Sequence, residues 1–200
     1  MKKSRITALI LAAAIAVIPA VGCRSSHRNS IDNNPNTSGA PSYAGMSDVG
    51  VNKSEISIGE ETTVNFTTYK LNGVIDSGYV KDGLKYIYLD VSIKNISDEN
   101  YKANALNNFY LTLSDNTEVT PNVRADSYAS KSVEGYEHLS EIPAGEEFNG
   151  YIGFCVDQSV DQFKVGFFAS GNDIDDKSDV IFCNVASGDI KAAPEGFIKD

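Results

Sequence analysis

The sequence predicts an all-β protein, an antiparallel β-sandwich of about eight short strands joined by polar turns. Three observations lead there. Residues 84–96 read LKYIYLDVSIKNI, with Ile87, Leu89, Val91 and Ile93 on one face and Tyr86, Tyr88, Asp90, Ser92 and Lys94 on the other. That sustained period-2 alternation, rich in β-branched and aromatic residues, marks a central strand. Similar runs recur along the chain, bounded by turn chemistry such as NISDEN at 95–100 and Ser114-Asp115-Asn116. No stretch shows helical periodicity long enough to cross between parallel strands.

In chain order, Lys2, Lys3 and Arg5 form a basic head, residues 6–18 an apolar run without charge, and small residues then lead to Cys23. That order describes a secretory signal peptide over residues 1–22, with an apolar run short for a permanent membrane span. Ala20-Val21-Gly22-Cys23 also resembles the bacterial lipobox, although Ala20 stands where leucine is usual. The resemblance implies that the Cys23 thiol carries diacylglycerol and becomes the first residue after cleavage. Ordinary cleavage near Gly22 is the simpler alternative.

Removing Lys2, Lys3 and Arg5 from the 17 Lys and Arg leaves 14 against 27 Asp and Glu, a formal charge of −13. Such a chain is repelled by nucleic acid and by anionic membrane surfaces, so attachment would fall to acyl chains. Residues 23–54 are rich in Ser, Asn, Gly and Pro and poor in apolar residues. They are expected to form a disordered tether, because too little surface is available to offset ordering entropy. About 30 flexible residues reach roughly 30 Å, which keeps the following domain near its membrane.

The domain is expected over residues 55–186, with a C-terminal tail at 187–200. Ile56 and Ile58 open it, and Thr62, Val64, Phe66 and Thr68 alternate as a strand running towards Leu71. Residues 72–83, with Gly73, Gly78 and Gly83, read as a loop into the central strand. Phe109, Leu111 and Leu113 give the next strand, and residues 117–120 a short one that Pro121 ends. Tyr128, Val133, Tyr136 and Leu139 have near-helical spacing, but Gly135 interrupts it, so a loop with at most one helical turn is expected. The Pro143-Ala144-Gly145-Glu146 turn then leads to a strand with Phe148, Ile152, Phe154 and Val156 on one face. Phe163, Val165 and Phe167, then Ile181, Cys183 and Val185, supply the last two strands.

The segments YIYLDVSIKNISDENY, FYLTLSDNTEV, EIPAGEEFNGYIGFCV and FKVGFF resemble the telokin-like, immunoglobulin-like domain of bacterial surface lipoproteins. That family has a strand ending in VxVKNxSD, a second ending in a Ser-Asp turn, and a PGE turn before a long strand; here the last is one residue longer. The resemblance covers residues 55–185 and implies an immunoglobulin-like sandwich. Its motifs are structural, and a shared sandwich does not imply a shared function.

Catalysis has little support. His138 is the domain's single histidine, followed by Leu139-Ser140-Glu141 with no nucleophile motif, and no Gly-rich phosphate loop is present. The acidic run at 172–179 invites calcium, but Lys177 interrupts it and no bidentate Glu stands at the required offset, so a solvated loop is expected. Cys155 and Cys183 permit a disulfide outside the cytoplasm, yet Cys155 is out of phase with Phe154 and Val156 while Cys183 is in phase with Ile181 and Val185. The expectation is therefore a non-enzymatic, lipid-anchored extracytoplasmic protein without cofactor. Its sandwich would be a binding or adhesion module for a protein or carbohydrate partner, with Tyr86 and Tyr88 as contact residues. The alternative is an accessory subunit of a cell-surface complex.

Overall fold

The computed structural model describes residues 52–170, 173, 175–195 and 197. The signal peptide expected at residues 1–22, Cys23 and the tether up to residue 51 lie outside them, whereas residues 52–54, expected in the tether, belong to a strand. The first sheet is built from β1 (Asn52–Ile56), β11 (Asp179–Val185), β10 (Phe163–Phe168), β6 (Phe109–Leu113) and β7 (Glu118–Val119), in that order. The second runs β12 (Ile190–Ala192), β3 (Thr67–Lys81), β4 (Leu84–Asn95), β9 (Glu147–Asp157), with β2 (Glu61–Val64) also pairing β3. A small ribbon, β5 (Tyr101–Lys102) with β8 (Glu141–Ile142), closes one side. The pairings are antiparallel except at two edges, where β1 joins β11 and β12 joins β3 in parallel.

The strand picked out by its alternation is β4, held between β3 and β9 with Leu89 opposite both Val74 and Ile152. Ile87, Leu89, Val91 and Ile93 are fully buried in the main core between the sheets. Tyr69 stacks on Phe167 there at 4.5 Å between ring centroids, and Phe109 meets Phe167 at 4.9 Å. Such aromatic pairs add to the area that the core removes from water.

The other face of β4 corrects the sequence reading. Tyr86 and Tyr88 are 9% and 0% exposed, so neither is a surface contact residue. The second sheet is covered on its outer side by helix α2 (Val123–Ser132) and by Phe197, which packs edge-on to Tyr88 at 5.2 Å. The chain around Tyr128 was expected to be a loop with at most one helical turn; it forms a ten-residue helix instead. Asn122 caps it, its side chain accepting from the backbone N–H of Arg124 and Ala125. Its buried face is small, Ala125, Ala129 and Ser132, a spacing of four and three that a search for large apolar residues passes over. Gly153 of β9 makes room for it: a Cβ there would lie 2.9 Å from the Ala125 Cβ.

Two further differences have backbone causes. Asn65 adopts φ 53°, so the strand expected through Phe66 turns there, Val64 is half-buried, and Phe66 is 50% exposed. The glycine-rich stretch after Asn72 is not a loop. β3 continues through it, with register shifts between Leu71 and Gly73 and between Asp76 and Val80. The reversal is confined to Asp82 and Gly83, at φ 53° and 77°, the two positive values of a tight hairpin turn. The segment after Val185, expected as a tail, adds β12 to the edge of the second sheet, and β1 begins the domain at Asn52. No helix among the described residues is long and apolar enough to cross a membrane.

Candidate functional site

A groove of about 160 Å³ lies beside β9, between the start of α2 and the one-turn helix α1 (Ala105–Asn108). Each wall follows from local chemistry. Asn104 caps α1 by accepting from the Leu106 N–H, which leaves Leu106 facing outward, 46% exposed. On the opposite wall Asn122 starts α2, and Val123 at its first position is 66% exposed. Leu139 and Ile152 form the apolar base.

One rim of the groove is polar. Tyr136 Oη donates to Asp126 Oδ1 at 2.5 Å and reaches the Tyr151 carbonyl at 3.3 Å. His138 Nδ1 lies 3.1 Å from Asp126 Oδ2, with its side chain mostly exposed. Burial, then the hydrogen bond to Asp126, pushes the Tyr136 phenol well above the ordinary tyrosine value, so it stays neutral and donating. Asp126 is thus held by two partners at once. The residues lining the groove include Asn104 and Asn122 but no Ser, Thr or Cys, and the hydroxyl beside the His–Asp pair is the Tyr136 phenol, which donates to Asp126. The arrangement offers an apolar slot with a fixed polar edge, a geometry for binding.

A second, wider cleft of about 480 Å³ opens at the far end of the sandwich, floored by Leu84, Leu113, Val119 and Val156. Its acidic rim is occupied by turn formation. Asp115 Oδ1 accepts from the Thr117 N–H at 2.9 Å, and Asp157 Oδ1 accepts from the Ser159 N–H and hydroxyl at 2.9 and 2.6 Å. The Ser159 hydroxyl, then its backbone N–H, holds the Asp157 carboxyl below its usual range.

The remaining residues singled out in the sequence are dispersed. Cys155 belongs to the cluster under α2 and Cys183 to the main core, so the two thiols are buried on different layers and not joined to each other. Burial, then Asp189, Glu55 and Glu60, pushes the Cys183 thiol up to about 11. In the loop between β10 and β11, Asp173 and Asp176 accept from the Asp175 and Ser178 N–H groups. Lys177 Nζ donates to the Asn107 carbonyl and sits over the Phe168 ring. No cluster of three His, Cys, Asp or Glu suited to a metal occurs among the described residues. The groove itself was missed in the sequence; the caps Asn104 and Asn122, with the outward apolar Leu106 two residues after the first and Val123 next to the second, were its available signal.

The shared motifs have structural roles. Asn95, fully buried at the end of β4, donates to the carbonyls of Glu99 at 2.7 Å, Ile142 at 2.9 Å and Pro143 at 3.1 Å. It also accepts from the Ser97 N–H and hydroxyl. Its own N–H meets the Glu146 carbonyl at 2.9 Å, which locks the Pro143–Glu146 turn against the strand end. The family model described as "Domain of unknown function (DUF4352)" matches residues 56–176. The chain belongs to this family. The DUF4352 match runs from the end of β1 to the loop before β11, so the last two strands lie beyond it. No curated protein matches the chain. Among solved structures, it is similar to ycdA, a lipoprotein candidate of Bacillus subtilis, at 17% identity and TM-score 0.47, over 64% of this chain and 39% of that one. A β-sandwich protein of Clostridium difficile gives 13% identity and TM-score 0.44, over 66% and 93% of the two chains. The secreted Mycobacterium tuberculosis protein MPT63 gives 14% and 0.41, over 64% and 95%.

Proposed function

We propose that this protein is a lipid-anchored bacterial surface lipoprotein whose telokin-like, immunoglobulin-like sandwich is a non-catalytic binding module. It is held at Cys23 on the extracytoplasmic side of the cell membrane and takes a protein partner through the groove beside β9. The observation that carries the binding role is the rim of that groove, where Leu106 and Val123 stand 46% and 66% exposed on either side of a concavity. Exposed apolar residues paired across a concavity are a feature of contact sites, whereas scattered ones are ordinary. The polar groups of the slot are already bonded to one another, which supports recognition over proton transfer. Attachment at Cys23 is supported by the basic, apolar and small-residue order of residues 1–22.

The test is a pull-down from intact cells with the lipidated protein, in parallel with a Leu106→Asp, Val123→Asp double variant. Both positions are exposed, so the variant should fold, which a thermal melt checks. Loss of a partner that the wild type retains supports the groove as the contact. An unchanged set of co-purifying proteins would remove it, and co-purification of one membrane complex by both forms would favour the accessory-subunit role.

A further inference from the structure

The end of the sandwich opposite the wide cleft carries two exposed apolar side chains. Phe66, in the β2–β3 turn, is 50% exposed, and Ile96, just after β4, is 49% exposed. They belong to one tip, because the Ile96 N–H donates to the Phe66 carbonyl at 2.9 Å. Both positions follow from turns that could have carried polar residues. Asn65 at φ 53° throws Phe66 outward, and Asn95 ends β4 by turning its side chain to the Glu99 and Ile142 carbonyls, which leaves Ile96 outside.

The chain enters the domain at this same end. Asn52, the first residue of β1, pairs with Asp179, and its N–H donates to the Ser178 carbonyl at 2.9 Å. Asp179 Oδ2 in turn accepts from the Asn65 side chain at 3.1 Å, and that side chain also donates to the Ala169 carbonyl at 2.9 Å. Asn52 and the Phe66 turn are therefore separated by one residue, Asp179. Residues 24–51 join this corner to Cys23.

We infer that the Phe66–Ile96 tip is a second membrane contact, resting on the bilayer surface so that the wide cleft faces outward. The inference rests on lipid attachment at Cys23, proposed above. An aromatic and a branched aliphatic side chain suit the interface, where apolar surface leaves water without crossing the hydrocarbon. Two side chains give weak binding alone, but a covalent anchor makes the contact intramolecular and raises its effective concentration. Asp98 and Glu99 stand two and three residues after Ile96, so the tip suits zwitterionic headgroups and is opposed by anionic ones. With the tip seated, the domain stands on one end; attachment at Cys23 alone sets its place and not its orientation.

The chain contains no tryptophan, so a single introduced one reports its own surroundings. The full lipidated protein carrying Phe66→Trp, Ile96→Trp or Val80→Trp is reconstituted into phosphatidylcholine vesicles with brominated acyl chains. Val80 is the control: it is 52% exposed and sits near the Asp82–Gly83 turn, at the other end of the β3–β4 hairpin. The expected result is quenching at positions 66 and 96 several-fold greater than at 80, with a blue shift at the first two alone. Each tip position reads independently, so a folding defect in one variant leaves the other decisive. Protein that floats with the vesicles while positions 66 and 96 behave like position 80 overturns the tip contact and leaves the anchor standing. Protein that fails to float with the vesicles overturns the anchor and the tip together.

Discussion

Replacing Tyr88 separates a two-sided sheet from a one-sided one. Its phenol is fully buried between the second sheet and α2, and its hydroxyl donates to the Ala125 carbonyl at 2.8 Å. Tyr88→Phe removes that one bond while the carbonyl keeps its place in the helix, so a loss of about 1 kcal/mol is expected. Tyr88→Ala also empties the space between Ala125 and Phe197, and truncation of a buried aromatic costs about 3–5 kcal/mol. Leu89→Ala, on the opposite face of the same strand, falls in the range of about 2–5 kcal/mol. The two alanine variants should therefore be comparably damaging. Urea denaturation of the domain from Asn52 onward, with α2 and β12 included, measures all three. A Tyr88→Ala cost below about 1 kcal/mol would mean that the tyrosine face is open to water and that α2 does not pack there.

Gly153→Ala should destabilise by about 1–3 kcal/mol, read from the same urea curves, because the new Cβ meets Ala125 at 2.9 Å. Asn95→Ala should cost about 2–4 kcal/mol, since the buried carbonyl of Ile142 loses a donor and the turn behind it loosens. Tyr69, Tyr88 and Tyr136 all have phenols raised above 10.0, chiefly by burial. The unfolded chain then releases protons that the native one keeps, so stability is full below pH 10 and falls as pH rises beyond it. Thermal melts across that range should show the fall, and Tyr88→Phe with Tyr136→Phe should make it shallower, with Tyr69 retaining part of it. The buried Cys183 thiol, held at about 11, should react with a thiol reagent only as fast as the domain opens, and reductant should leave the melting midpoint unchanged.

The sequence reading succeeded where one face decides a strand. Ile87, Leu89, Val91, Ile93, Leu111, Phe154 and Phe167 all entered the main core because their alternation repeats over enough residues to fix the face. It failed where a second layer lies on the same sheet. Tyr86 and Tyr88 looked like a solvent face because tyrosine tolerates water, and their cover is a helix whose buried side consists of alanines and a serine. Small residues carry almost no periodic signal, although they permit the closest approach. The Asp82-Gly83 pair was a legible hairpin signal, but the bulges of β3 hid the strand behind three glycines. The groove depends on how α1, α2 and β9 meet, which no local pattern contains. The motif Asn95-Ile96-Ser97 was visible as a resemblance, and its physical basis, one buried amide holding three carbonyls, needed the fold.

The proposed lipid attachment at Cys23 is the premise on which the membrane location and the seated tip rest. Mass spectrometry of the N-terminal peptide from the membrane fraction of expressing cells tests it most directly. The expected peptide begins at Cys23 and carries the mass of its acyl chains, and Cys23→Ala moves the protein out of the membrane fraction. An unmodified chain, released to the medium in the wild type as in the variant, would contradict it.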